Sequence, residues 1–128
     1  MRTPLVAALA SSLLAAGGLA AAQRGVEEVT VDLQTTRFVD GLTMTINEHP
    51  WDFPKSLVIE TSRDGRQWTP GWEGSTAAVA FAAALRAPRD VPLAFALPHV
   101  PARFLRMRQL GNDPAYSWSI FELAVYGD

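Results

Sequence analysis

The chain has 128 residues, with 13 acidic side chains, 11 basic ones and no cysteine. A chain of this size holds one domain with a modest core, which excludes a multidomain enzyme on this polypeptide. The slightly acidic balance gives no electrostatic footprint for nucleic acid, and the lack of cysteine excludes disulfides, thiolate metal sites and cysteine nucleophiles.

The first 22 residues contain eight alanines, one charge (Arg2) and no acid. A basic start, an apolar run from Leu5 to Leu19 and Ala20-Ala21-Ala22 before Gln23 have the pattern of a secretory signal peptide. Cleavage after Ala22 leaves residues 23–128 as the mature domain, with ten basic and thirteen acidic side chains and a net charge of −3. This reading places the protein outside the cytoplasm: secreted, periplasmic or in the cell envelope. Two alternatives stay open. An uncleaved leader would be a membrane anchor, although the run is short and Ala/Gly-rich beside the roughly 20 residues a span needs. The start would otherwise be that of a truncated longer gene.

The rest reads as short strands joined by punctuated turns. Val29, Val31 and Leu33 alternate with polar residues, as do Leu42, Met44 and Ile46. Ser56 to Thr61 is a β-rich run closed by Asp64-Gly65, a tight-turn signal because glycine tolerates positive φ. Trp68 begins a short strand reaching Trp72. Ser75 to Ala87 is alanine-rich, with Val79, Phe81 and Leu85 as its large apolar residues. Ser75 or Thr76 is placed to cap it and Pro88 to stop it, which predicts a helix near 76–87 plugging one end of the fold. Leu93, Phe95 and Leu97 alternate after Pro92. Phe104 to Leu110 and Ile120 to Tyr126 supply the last two strands. Seven short strands without an internal repeat predict an all-β antiparallel sandwich or jelly roll.

Three stretches, in order and spacing, resemble the discoidin or coagulation factor type C domain of the galactose-binding-like fold. Val31-Asp-Leu33 resembles the family's V-D-L-G strand, with Gln34 at the glycine. Pro54 to Trp68 resembles the pattern P-x-x-[apolar]-x-[apolar]-x-x-S-x-D-G-x-x-W. Ala102 to Arg108, followed by Trp118 to Gly127, resembles A-R-[YF]-[apolar]-R and the closing W-S-I-x-E-L-x-V-x-G strand. Most of these residues carry scaffold roles: Trp68 buries its ring, Leu105 and Met107 face the core, and Phe104, Arg106 and Arg108 face away. Glu122 is the expected partner for one of the arginines. Complete members begin with a longer segment before the V-D-L strand. Here only 23–28 precede Val29, which leaves a strand edge open and carries over no calcium site.

The resemblance implies ligand contacts in loops at one end of the sandwich. Asn47, Glu48, His49, Trp51, Asp52 and Phe53 gather a carboxamide, two carboxylates, an imidazole and two aromatic rings in seven residues. Sugars are recognised by such planar polar groups together with a ring face. The arginine usual in relatives is absent from this loop. In the loop 111–118, Tyr116 is the expected aromatic platform and Trp118 the next choice. Asn112 and Asp113 are turn formers before Pro114, and His99 sits in a turn between prolines. Trp51, Phe53 and Trp118 have an alternative role covering the core. Glu48, His49 and Asp52 match no metal-ligand spacing. No G-x-S-x-G, H-E-x-x-H, P-loop or dinucleotide fingerprint occurs.

The expectation is therefore a non-catalytic exported module without metal or cofactor, binding carbohydrate or cell-envelope glycan. The rival is a structural or protein-interaction accessory domain, as in a fragment of a larger envelope protein such as a membrane glycosyltransferase. Nucleic acid is not an expected partner, and a membrane is one only through an uncleaved leader.

Overall fold

The computed structural model describes residues 3–9, 27–45, 55–89, 92–110 and 122–128. These form strands β1 (Val6–Leu9), β2 (Glu27–Thr45), β3 (Ser56–Ser62), β4 (Thr69–Ser75), β5 (Pro92–Gln109) and β6 (Glu122–Gly127), with helix α1 (Ala77–Arg86) between β4 and β5. The hydrogen-bonded order is β1-β6-β2-β5-β3-β4, and every pairing is antiparallel.

Two strands are far longer than the expected short ones. β2 takes in both Val29–Leu33 and Leu42–Thr45, and β5 both Leu93–Leu97 and Phe104–Gln109. Their shared ladder runs from Glu27↔Gln109 to Thr45↔Pro92, with register shifts between Asp32 and Arg37 and between Val39 and Gly41. Such irregularities bend a strand and raise its twist. The long ladder creases there and lays its two halves over each other.

One layer holds the first half of β2, the second half of β5, β3 and β4. The other holds the second half of β2, the first half of β5, β6 and β1. Contacts across the layers show them face to face: the Trp72 ring meets the Phe95 ring edge-on, centroids 4.7 Å apart and planes at 67°. The period-2 alternation fills the space between. Val31, Leu33, Leu57, Ile59, Leu105 and Met107 point inward from the first layer, and Leu42, Met44, Leu93, Phe95, Leu123 and Val125 from the second. All are buried in one cluster. Burial at this scale is the main stabilising term of the fold.

Strand β1 lies within the stretch read as a leader. It pairs with β6 from Val6↔Val125 to Leu9↔Glu122, and the Leu5 amide donates to the Val125 carbonyl at 2.6 Å. This pairing covers an edge of β6. No helix among the described residues is long and apolar enough to cross a membrane.

Helix α1 stands where expected but packs differently. Its buried residues are Ala80 and Ala83, whereas Phe81 and Leu85 are 69% and 71% exposed. Alanines let the helix axis come close to the sheets, and the large side chains turn to solvent. Thr76 is the N-cap but makes no side-chain cap bond; its own amide donates to the Lys55 carbonyl at 3.2 Å.

Candidate functional site

The crease sorts the chain segments between two ends of the sandwich. At the crease end lies the β3–β4 turn. Ser62 Oγ accepts from the amides of Asp64 and Gly65 and donates to Asp64 Oδ1. That carboxylate oxygen accepts in turn from the amides of Arg66 (2.8 Å) and Gln67 (2.9 Å). These bonds, the Gln67 and Arg66 amides foremost, hold the Asp64 carboxyl below its ordinary range. Gly65 has φ 77°, and a Cβ there would stand 3.4 Å from the Phe104 ring. The S-x-D-G motif is consumed in making this turn.

The opposite end gathers Thr45 at the close of β2, Lys55 and Ser56 at the start of β3, Leu110 after β5, and Glu122 at the start of β6. Thr45 and Glu122 are register partners, and the Leu110 amide donates to the Ser56 carbonyl at 2.8 Å. The anchors of segments 46–54 and 111–121 therefore stand side by side at one end, joined by ladder and backbone bonds. This follows from the crease: an uncreased ladder would carry Thr45 and Gln109 to opposite ends. Asn47, Glu48, His49, Trp51, Asp52, Phe53, Tyr116 and Trp118 lie outside the described residues, and so does Ile46.

The outward face of the first layer carries the motif residues of β5. Leu105 and Met107 are fully buried, as the alternation requires, and Arg106 and Arg108 face out. Their carboxylate partner is Glu60, not Glu122. Arg106 Nε donates to Glu60 Oε2 at 2.7 Å and Arg108 Nη2 to Oε1 at 3.1 Å. Glu122 belongs to the other layer, opposite Thr45 and Leu9. Trp68 does not enter the inter-layer core. It is half-buried, and the Arg106 guanidinium lies 4.1 Å from its ring centroid, a cation–π contact. Burial works against the Glu60 charge, yet the two arginine hydrogen bonds and their charges outweigh it and hold the carboxyl below its usual range. Further along, Arg103 makes a bidentate pair with Asp32 at 2.8 and 2.9 Å. That hydrogen bond is the largest influence on both groups, lowering the acid and raising the guanidinium. Both acids are held in structural ion pairs.

Gln34, at the glycine of the V-D-L-G pattern, has a left-handed backbone that favours glycine. Its φ is 72°, and its amide donates to Asp32 Oδ1 at 2.8 Å. Among the described residues no group of three or more His, Asp or Glu side chains is placed to hold a metal ion.

The comparisons agree with this architecture. The solved CBM32-3 module of a family 31 glycoside hydrolase from Clostridium perfringens superposes with a TM-score of 0.59 at 21% identity, covering 84% of this chain and 70% of that one. Chitosan-binding module 1 of a chitosanase/glucanase from Paenibacillus sp. IK-5 gives 0.61 at 18% identity, with 80% and 68% covered. A further Clostridium perfringens structure, CpGH89CBM32-5 in complex with GalNAc-β-1,3-galactose, gives 0.54 at 12% identity, with 78% and 65% covered. At these identities the likeness speaks for the fold. No curated protein matches the chain. The sequence profile of the F5/8 type C domain matches residues 15–123, and the chain belongs to that family.

Proposed function

We propose that this protein is a non-catalytic carbohydrate-binding module. It takes its ligand at the end where segments 46–54 and 111–121 are anchored. The observation that carries this reading is the meeting of the two pairs of anchors, Thr45 with Glu122 and Ser56 with Leu110, at one end of a rigid sandwich. Loops held by a rigid scaffold are where such folds keep their binding groups. The residue types in those segments suit saccharides: Trp51, Phe53 and Tyr116 as ring platforms, Asn47, Glu48, His49 and Asp52 for hydroxyl pairs, and Trp118 as a further ring. The neighbours named above include a chitosan-binding module and a complex with GalNAc-β-1,3-galactose, which favours the same ligand class. Export through a leader cleaved after Ala22 would place the module among extracellular or envelope glycans without β1, which lies within that leader.

The test is titration of the folded protein with a neutral, amino and acidic sugar panel, followed by tryptophan fluorescence. Saturable quenching with Kd on the order of 0.1–1 mM is expected for a single sugar unit. Trp51→Ala and Tyr116→Ala should each weaken it at least tenfold without altering the unfolding midpoint. A folded protein silent to every sugar at millimolar concentration refutes the proposal.

A second reading, docking onto a protein partner, is favoured by Phe81 and Leu85, one helical turn apart and both exposed. It predicts that Phe81→Ser with Leu85→Ser abolishes co-purification with such a partner while sugar binding is unchanged.

A further inference from the structure

An exposed sheet edge is a template for pairing with another chain, and proteins guard such edges with proline, bulges, charge or short strands. Among the described residues the sheet ends at β4 on one side and at β1 on the other. The β4 edge is guarded. Its seven residues include Pro70, Gly71, Glu73 and Gly74, and its pairing with β3 shifts register between Ile59 and Glu60. β1 is guarded by its shortness, with four residues. β6, the strand beneath β1, is not guarded. Past Glu122 it carries no charge and no proline, and its Leu123, Ala124 and Val125 are all buried.

β1 lies within the segment read as a leader. Cleavage after Ala22 takes away the neighbour of β6 together with Leu5, which packs against the core. The Val125 carbonyl, which accepts from the Leu5 amide at 2.6 Å, then loses its partner. Backbone groups left open beside a buried apolar strand cost free energy that a new strand restores.

The register shows which strand fits. β1 sets Val6, Ala7 and Ala8 opposite Val125, Ala124 and Leu123. A second β6, antiparallel about a twofold axis at Ala124, sets Leu123, Ala124 and Val125 opposite the same three positions. Alanine faces Ala124 in both cases, and apolar residues flank it in both. Glu122 falls opposite Tyr126 of the second copy, so no like charges meet. A strand paired antiparallel with itself makes the self-complementary contact that closes a twofold dimer.

We propose that the protein freed of residues 1–22 dimerises by pairing β6 with β6 of a second copy. In the full chain, Leu5 and β1 occupy that edge and hold the protein monomeric. The proposal rests on cleavage of the leader and is independent of the carbohydrate reading.

The test compares three forms by sedimentation at about 0.1 mM, where weak contacts associate. They are the full chain, the full chain with Ala7→Pro and Ala8→Pro, and the protein recovered after export, with its start read by mass. Bonding positions alternate along a strand, so one of the two prolines falls where β1 bonds to β6. The full chain should be a monomer, the proline variant a dimer, and the exported protein a dimer beginning at Gln23. Ala124→Cys adds the only thiol of the chain. It lies on the twofold axis, where facing Cα atoms stand about 4.5–5.5 Å apart, within disulfide reach. It should cross-link both β1-free forms at least tenfold faster than the full chain. Tyr126→Cys, which faces Glu122 rather than itself, should cross-link none of them. A folded β1-free form that stays monomeric overturns the proposal, as does one cross-linked equally by both cysteines. Loss of the fold in the proline variant, a dimeric full chain, or an exported protein that retains residues 1–22 overturns it too. A dimer that binds no sugar refutes the carbohydrate reading alone.

Discussion

Glu60 offers the sharpest physical test of the fold. Its side chain is 8% exposed and pairs with Arg106 and Arg108, which are 21% and 33% exposed. Glu60→Gln keeps the shape and one acceptor oxygen but removes the charge that both guanidinium groups face. A hydrogen bond between charged groups contributes about 1.5–3 kcal/mol, and removal of one partner from a fully buried pair costs about 3–5 kcal/mol. The arginines retain some solvent, so a loss of about 2 kcal/mol at pH 7 is expected, a fall of roughly 8 °C or more in Tm for a domain of this size. The pH dependence carries the discriminating sign. The folded carboxyl is held below its ordinary value. Its contribution is therefore complete above the unfolded pKa of about 4.3 and is lost as pH falls through the folded pKa. Urea unfolding of parent and variant at pH 7, 5, 4 and 3 should show a constant gap that closes below about pH 4. A variant within 0.5 kcal/mol of the parent at pH 7, or a gap that persists undiminished to pH 3, refutes the assignment of Glu60 as a charged partner.

The same reasoning sets three further expectations. Gln34→Gly relieves a left-handed backbone at φ 72°, and should raise stability by about 0.5–1 kcal/mol after the extra unfolded-state entropy of glycine is counted; a lower denaturation midpoint would contradict this. Gly127→Ala drives a Cβ into the Phe38 carbonyl where β6 meets β2, so the strands must separate locally. Denaturant unfolding should show a loss of about 2–4 kcal/mol, and hydrogen exchange faster protection loss at Phe38 and Asp128, whose amides bond across that junction. Phe81→Ser with Leu85→Ser removes two exposed apolar side chains, and thermal unfolding should move by less than about 0.5 kcal/mol in equivalent stability.

Strand content was legible because burial on one face writes itself as period 2: Leu42 and Met44, Leu93 and Phe95, and Leu105 and Met107 all point where alternation put them. Continuity was not legible. Thr35 and Thr36 look like a break between strands, and the backbone instead bends through them within β2. The helix position was readable from alanine richness and Pro88, but its buried side was not, because Phe81 and Leu85 outrank Ala80 and Ala83 in hydropathy while close approach to the sheets favours the smaller residues. Glu60 was missed as the arginine partner because cross-strand neighbours are set by register, not by nearness in a motif. Strand β1 was missed for a related reason. Val-Ala-Ala-Leu is apolar enough for a leader or for an edge strand, and the strand it pairs with lies more than a hundred residues away. The loop residues of the binding proposal were chosen for their chemistry, and the fold contributes the adjacency of their anchors.

The creased ladder also governs how the chain reaches this state. The rung Glu27↔Gln109 joins residues about 80 positions apart, and β3, β4 and α1 lie in the excursion between them. During synthesis β2 has neither of its partners until β5 and then β6 emerge, so its apolar face waits unpaired through most of translation. Loop closure on that scale must be met before the central pairing returns any free energy. The protein should therefore fold in milliseconds to seconds and only after β6 has emerged, with β3–β4, among the described residues, the hairpin able to form early.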